Sequence, residues 1–463
     1  MNHFEYRGGV LCCEGVSLAA IAEAVGTPAY VYSSATLERH YEVFKAAFAP
    51  REVMVAFAVK ANANIAVLAT LAAKGAGADT VSEGEIKRAL KAGVPASRII
   101  FSGVGKTEDE LAFALNAGVH QINVESIAEM DALARVAAAV GKKAPLAIRV
   151  NPDVGAGGHE KISTGKGDAK FGVSAESALA LYARAHADAH LAPKGLAVHI
   201  GSQIKDLGPL EAAFRVMRGL AEKLRADGLA IERLDLGGGL GVPYFNEPDP
   251  PSPAEYAAMV NRVMDGLDIQ LTFEPGRMIA GNAGVLLSRV IRLQERPTRP
   301  IVVLDAGMND LIRPAIYDAY HGIKPVRETK GGAQTAYDVV GPICETGDLF
   351  TRNRALPPLA ATSAAPAAWS QVECGRLLLM FGSLRYNSAS PAAIRAYFSM
   401  LSIRTSGALL RPANSRARAI RSNPACDFST LSKTRTADRS VFADARTRRA
   451  FPPVIGSSQH APS

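Results

Sequence analysis

The sequence predicts an α/β protein, a closed (β/α)8 barrel followed by a mainly-β domain. Three observations carry this expectation. Between residues 30 and 290, short apolar runs alternate with Ala-, Leu- and Glu-rich stretches, the pattern of a parallel sheet with crossover helices. About eight such runs fit in roughly 250 residues, the size of a closed barrel. Four runs end on a lysine, an imidazole, a glycine run and an acid, and barrel active sites are built at the C-terminal ends of strands. An open dinucleotide-binding sheet is the alternative, but no G-x-G-x-x-G follows the first strand with an acid about 20 residues on.

In chain order, the expected strand–helix units are 54–59 with 65–75, 77–81 with 83–93, 98–102 with 107–117, and 119–124 with 126–140. Strands at 145–150, 195–200 (with a helix over 208–228), 231–236 and 269–273 follow. The first strand, Val55-Ala56-Phe57-Ala58-Val59, runs straight into Lys60. Burial there would lower the amine from about 10.4 toward neutrality, the state that Schiff-base chemistry with a carbonyl needs. The plainer alternative lays the lysine stem on the core and its head in water. Further strands end in His199-Ile200-Gly201-Ser202-Gln203, in Asp235-Leu236-Gly237-Gly238-Gly239-Leu240-Gly241, and in Glu274-Pro275-Gly276-Arg277. Consecutive glycines let backbone N–H groups close on a phosphate, or simply make a turn. A lone histidine of this kind is more often a satisfied core residue than a catalytic one.

Phe-Ala-Val-Lys-Ala-Asn (57–62), His-Ile-Gly-Ser-Gln (199–203), Gly-Gly-Gly-Leu-Gly (237–241), Glu-Pro-Gly-Arg (274–277) and Cys-Glu-Thr-Gly-Asp (344–348) together resemble the motif set of the fold-type III pyridoxal-phosphate decarboxylases, nearest to the diaminopimelate decarboxylases. Asn151-Pro152-Asp153, His159 to Gly165 and Lys170-Phe171-Gly172 add to the likeness, which runs from residue 1 to about 361. The resemblance implies pyridoxal 5'-phosphate as cofactor, bound covalently by Lys60. It implies that His199 stacks on the pyridine ring. Ser202, Gly237, Gly238, Gly239, Gly276 and Arg277 would hold the phosphate. Glu274 would keep the ring nitrogen protonated, which strengthens the electron sink; the related alanine racemases use an arginine there, so the acid argues for decarboxylation. Asp79 is either a further cofactor-pocket residue or a helix cap before Ser82-Glu83.

The implied substrate is meso-2,6-diaminopimelate, converted to L-lysine and CO2. Arg277 and Arg313 suit its distal carboxylate, since guanidinium binds carboxylate bidentately. Tyr317 would add a hydroxyl and Glu345 would take the distal ammonium. Cys344 would handle a proton from the partner subunit of a head-to-tail homodimer with composite sites. The second arginine weighs against ornithine. The remaining alternatives are a related decarboxylase of ornithine, arginine or carboxynorspermidine, and a barrel that binds the cofactor without turnover.

The implied domains are 1–30 joining the β domain, 31–285 the barrel, 286–361 a partial β domain begun by strands 285–290 and 301–305, and 362–463 an atypical tail. Residues 351–463 carry 16 Lys and Arg against 4 Asp and Glu, and Lys433 is the single lysine among them. The chain's net charge of +8 therefore combines a mildly acidic body with an arginine-rich tail. That tail lacks aromatic interleaving or an amphipathic stripe, so neither a nucleic-acid nor a membrane partner is expected. The resemblance calls for a Gly-Ala-Tyr segment after residue 348; the nearest strings hold Tyr386 and Tyr397 in other contexts. Arginine without lysine is what a GC-rich gene gives out of frame, so a change of reading frame between about 360 and 375 is expected, with weakened dimerisation and turnover. A disordered basic extension is the competing account. Cysteines at 12, 13, 344, 374 and 426 form neither a metal-spaced set nor a disulfide framework. With no run of 18 apolar residues and no signal-like start, the expected location is cytoplasmic.

Overall fold

The computed structural model describes residues 2–155, 170–244, 248–328 and 333–359, together with the backbone of 377–381. Four short strands open the chain: β1 (Phe4–Arg7), β2 (Val10–Cys13), β3 (Val16–Ser17) and β4 (Ala29–Tyr32). The barrel follows, with strands β5 (Val53–Ala58), β6 (Gly77–Thr80), β7 (Ile99–Phe101), β8 (Gln121–Val124) and β9 (Ala144–Asn151). The short β10 (Val173–Ser174) lies outside β9, and β11 (Leu191–Val198), β12 (Arg233–Asp235) and β13 (Gln270–Phe273) complete the circuit. Every pairing in the barrel is parallel, and β8–β9 and β13–β5 contacts close it. Closure leaves no open sheet edge, and burial of both faces, inside the barrel and under the helices, lets these strands be near-continuously apolar.

The expected strands match these within a few residues, except that β11 begins at Leu191, four residues earlier than its apolar pattern. Pro193 sits there at a register shift against β9, and a proline inside a strand hides it from a periodicity reading. The helix Ser34–Ala46 was also missed, because its buried positions are only Thr36, Leu37, Tyr41 and Phe44 on an otherwise polar segment. Most barrel helices start on a hydroxyl or carboxylate that caps their first N–H groups: Ser82, Thr107, Ser126 and Asp206. Thr107 with Glu110, and Ser252 with Glu255, form reciprocal capping boxes.

The barrel core is one continuous apolar cluster. Within it, Phe273 stacks on Phe48 at 4.4 Å, and Phe44 and Tyr256 close edge-on around the pair. This aromatic box fixes the end of β13, and so the backbone from which Glu274 projects. The second sheet is built on the eleven-residue β14 (Gly284–Gln294). With β15 (Ile301–Leu304), β16 (Gly322–Pro325), β17 (Thr335–Val340), β18 (Leu349–Leu356) and β19 (Leu377–Phe381), it forms a sheet in the order β16-β19-β14-β15-β17-β18. The N-terminal β4 pairs antiparallel with β14, Val31 opposite Val285. Strand β19 lies beyond residue 361 and pairs with β14, Leu287 opposite Leu379.

Candidate active site

Lys60 sits on a single 3-10 turn, Val59–Ala61, at the C-terminal end of β5. Its Nζ donates to Asp79 Oδ2 at 2.6 Å. Asp79 is fully buried in β6, whereas the lysine side chain is 42% exposed, because it faces the open mouth of the barrel. Burial alone would lower the amine, but the charges of Asp79 and Glu274 outweigh it and raise the pKa. The neutral amine expected from burial is therefore corrected: Lys60 is an ammonium held by Asp79. The helix-cap alternative for Asp79 also falls, since Ser82 caps the helix Glu83–Lys91.

His199 follows β11, and its Nδ1 accepts the Gly238 N–H at 3.2 Å. Burial, then the charges of Lys60 and Arg149, push its pKa well below the ordinary value. The ring is thus neutral, with its remaining proton on Nε2. The Gly237 N–H is taken by Asp235 Oδ1 at 3.0 Å. Of the three loop glycines, Gly239 is the one whose amide has no acceptor among the described residues. The glycines are required by space: a Cβ on Gly237 would lie 2.2 Å from the Val198 carbonyl oxygen, and one on Gly238 2.3 Å from that of Glu274.

Glu274 is 6% exposed, and its Oε1 has no hydrogen-bond partner. Burial, then the charges of Asp235 and Asp79, hold its carboxyl well above the ordinary carboxylate range. Past Gly276, Arg277 donates from Nε to Ser202 Oγ at 3.2 Å and from Nη1 to the Tyr244 hydroxyl at 2.6 Å. The Arg313 guanidinium lies 5.7 Å from the Tyr244 ring centroid, and the Tyr317 hydroxyl bears on its charge. The fold thus gathers Lys60, Asp79, His199, Glu274 and the Gly237–Gly239 loop, and links Ser202 and Arg277 to Arg313 through Tyr244. Cys344 and Glu345 are elsewhere: both are exposed on the 342–347 loop, with no contact to these residues among those described.

Residues 34–281 match the family model "pyridoxal-dependent decarboxylase, pyridoxal binding domain". Among curated proteins, the diaminopimelate decarboxylase of Zymomonas mobilis is 50% identical over 365 residues, 78% of this chain and 86% of that one. That of Pseudomonas aeruginosa is 48% identical over 356 residues, 77% and 85%. Among solved structures, Helicobacter pylori diaminopimelate decarboxylase complexed with L-lysine superposes with a TM-score of 0.72 at 36% identity, covering 78% of this chain and 87% of that one. The M. jannaschii enzyme, also with L-lysine, gives 0.75 at 33%, covering 85% and 92%. The chain belongs to the pyridoxal-dependent decarboxylase family.

Three residues at this decarboxylase site escaped the sequence reading. Arg149 in β9 is buried, bound to Glu125 at 2.9 Å, and lies over the Phe171 ring at 4.8 Å. Phe171 lies in the Lys170-Phe171-Gly172 motif, but nothing in sequence joins it to residue 149. Tyr244 lies just past the glycine run, with no periodic signal of its own. Asp235 opens the glycine-rich stretch 235–241, and nothing in sequence sets it apart from the strand it closes. Tyr386, Tyr397 and the segment His159 to Gly165 lie outside the described residues. A cavity of about 740 Å³ opens at the other end of the barrel, by Arg51, Arg98, Met54 and Asp268. It touches none of the residues gathered around Lys60, and the chemistry lies at the opposite mouth. No described helix is long and apolar enough to cross a membrane.

Proposed function

We propose that this chain decarboxylates meso-2,6-diaminopimelate to L-lysine with pyridoxal 5'-phosphate, using the residues around Lys60. The observation that carries the reading is the Lys60 ammonium set between the buried carboxyls of Asp79 and Glu274 at the barrel mouth. Buried oxygens left without partners, Asp79 Oδ1 and Glu274 Oε1, fit a ligand that brings donors. When bound, pyridoxal phosphate supplies a conjugated electron sink for the pair left on Cα as CO2 departs.

Lys60 would bind the cofactor carbonyl and return a proton to Cα, and Asp79 holds the amine in place. Neutral His199 offers its ring face to the pyridine ring without a competing charge. Glu274, whose Oε1 is unpartnered, would hold the ring nitrogen. The Gly239 amide, Ser202, Gly276 and Arg277 take the phosphate, with Gly237 and Gly238 shaping the loop. Arg277 and Arg313, steadied by Tyr244, receive the substrate's distal carboxylate, with Tyr317 beside them. Cys344 and Glu345 would act on the partner subunit's site, Glu345 on the distal ammonium and Cys344 in proton handling. Their exposure on one loop supports a homodimer with composite sites.

The test is CO2 release from meso-diaminopimelate by the full chain with saturating pyridoxal phosphate. L-lysine formed in step with CO2, and lost in Lys60→Ala, is the expected result. Release from ornithine or arginine in its place would overturn the substrate reading. No release from any of them would overturn the catalytic one.

A further inference from the structure

Gln203, which closes the 199–203 motif, has a backbone φ of +60°, a left-handed conformation that a residue with a long side chain seldom adopts. Its side chain holds it there. Gln203 Nε2 donates to the Val242 carbonyl oxygen at 2.6 Å, and Gln203 Oε1 accepts the Val242 N–H at 3.1 Å. Two main-chain bonds run beside this pair: the Ile204 N–H to the Gly239 oxygen at 2.9 Å, and the Gly241 N–H to the Ile204 oxygen at 3.0 Å. The end of the motif and the glycine loop are thus zipped together, and Tyr244 follows two residues past the last bond. A strained residue that spends both ends of its amide on one distant peptide group fixes where that loop goes.

Where it goes is between two cations. The Tyr244 hydroxyl oxygen accepts Arg277 Nη1 at 2.6 Å, and the Tyr244 ring centroid lies 5.7 Å from the Arg313 guanidinium. Arg277 is held further by Ser202 Oγ at 3.2 Å, and Arg313 Nη1 meets His321 Nε2 at 3.3 Å. Burial lowers the Arg313 pKa, Tyr244 offsets this, and the Arg277 charge adds to it. An acid set between two guanidinium groups would relieve their repulsion, but it would also cancel the charge that an incoming anion needs. A hydroxyl oxygen and an aromatic face attract both cations and cancel neither. We propose that Tyr244 is a positioning residue for substrate specificity: it brings the Arg277 and Arg313 guanidinium groups together for one carboxylate, and Gln203 holds the loop that carries it. The inference rests on the reading above that these arginines receive the distal carboxylate. The ligand class it selects is an amine whose far end carries a carboxylate; a diamine without one gains nothing from Tyr244.

The test is calorimetry of two ligands on the full chain loaded with pyridoxal phosphate: L-lysine, and cadaverine, which is the same molecule without the carboxylate. Tyr244→Phe removes the hydroxyl and keeps the ring. Gln203→Gly removes the tether and adopts the positive φ without strain. L-lysine should bind about tenfold more weakly to Tyr244→Phe, the loss of a hydrogen bond to a charged group, while cadaverine and pyridoxal phosphate stay within about twofold of wild type. Gln203→Gly should show the same pattern by a smaller factor. In turnover, Tyr244→Phe should raise KM for meso-diaminopimelate and leave kcat near wild type, because the contact is the same in ground and transition states. Equal losses of L-lysine and cadaverine, or a parallel loss of pyridoxal phosphate, are what a merely structural tyrosine would give, and either overturns the proposal. So does unchanged L-lysine affinity in the two variants. A wild type with no preference for L-lysine over cadaverine overturns the distal-carboxylate reading and this inference with it. Absent CO2 release with the L-lysine pattern intact overturns the catalytic reading alone.

Discussion

At the scale of single residues, close packing decides more than residue type. Gly238 and Gly219 make the contrast. A Cβ on Gly238 would lie 2.3 Å from the Glu274 carbonyl oxygen, whereas one on Gly219, in the helix Leu207–Ala226, meets nothing within 4 Å. Gly238→Ala should cost about 2 kcal/mol or more and weaken cofactor binding by moving Glu274. Gly219→Ala should stabilise by about 0.5–1 kcal/mol. Urea unfolding of the two variants checks the opposite signs; a neutral Gly238→Ala would mean the loop relaxes freely. His120 gives a pH dependence. Burial first, then the neighbouring Arg233 charge, lower its pKa from 6.5 to about 4. A depressed pKa contributes stability that is full above 6.5 and lost as pH falls through about 4. Discounted for partial exposure, the contribution is about 1–2 kcal/mol. Asp235, raised from 3.8 to about 6, works oppositely, losing stability as pH rises through that window. The His120 effect therefore has to be read as the gap between wild type and His120→Gln, which should shrink from pH 7.5 to 4.5. A constant gap would exclude the mechanism. Residues that end strands, such as Lys60 and Glu274, were legible because a polar group closing an apolar run is conspicuous. Arg149, Asp235 and Tyr244 were not, because their roles come from neighbours distant in sequence.

At the scale of elements, the barrel strands were legible from apolar runs that need no alternation in a closed parallel sheet. What alternation could not give was how the loops between elements are held. The 342–347 loop shows this. Its exposed residues are tethered by one buried acid: Asp348 Oδ1 accepts the Met308 N–H at 2.6 Å and Oδ2 accepts the Ile343 N–H at 2.7 Å. Gly341 has no room for a Cβ, because Asp348 Oδ2 would be 2.3 Å away. Asp348→Ala would strand two N–H groups at a cost of about 2–4 kcal/mol and release the loop that carries Cys344 and Glu345. If that loop serves catalysis, kcat should fall at least tenfold while pyridoxal phosphate absorbance and affinity stay near wild type, since the barrel residues are untouched. Equal loss of cofactor binding would mean that the variant unfolds more than its loop.

At the scale of the whole molecule, the exposed Cys344–Glu345 pair can serve catalysis only if another copy of the chain brings a barrel to it. Ile312, Ile316 and Ile343 are 40%, 46% and 36% exposed. Ile343 packs on the Gly307 turn, six residues before the helix Arg313–Tyr317 on which Ile316 lies. Exposed apolar side chains of this kind are what a subunit contact would cover. A two-fold dimer in which each loop completes the other barrel makes a sharp prediction. Lys60→Ala and Cys344→Ala should each be nearly inactive alone. Mixed one to one and allowed to exchange, they should recover about a quarter of wild-type activity, because half the dimers are mixed and each mixed dimer holds one site with both intact residues. No recovery, with exchange verified by sedimentation of a tagged copy, would place Cys344 in its own subunit's site or outside the chemistry. The same sedimentation addresses the arginine-rich residues 362–463. If they replace sheet strands that stabilise the dimer, the full chain should dissociate at micromolar concentration and the mixture should recover activity only when concentrated. A dimer that persists on dilution would show that β14 with β19 and their neighbours suffice, and that the rest of residues 362–463 is carried without cost.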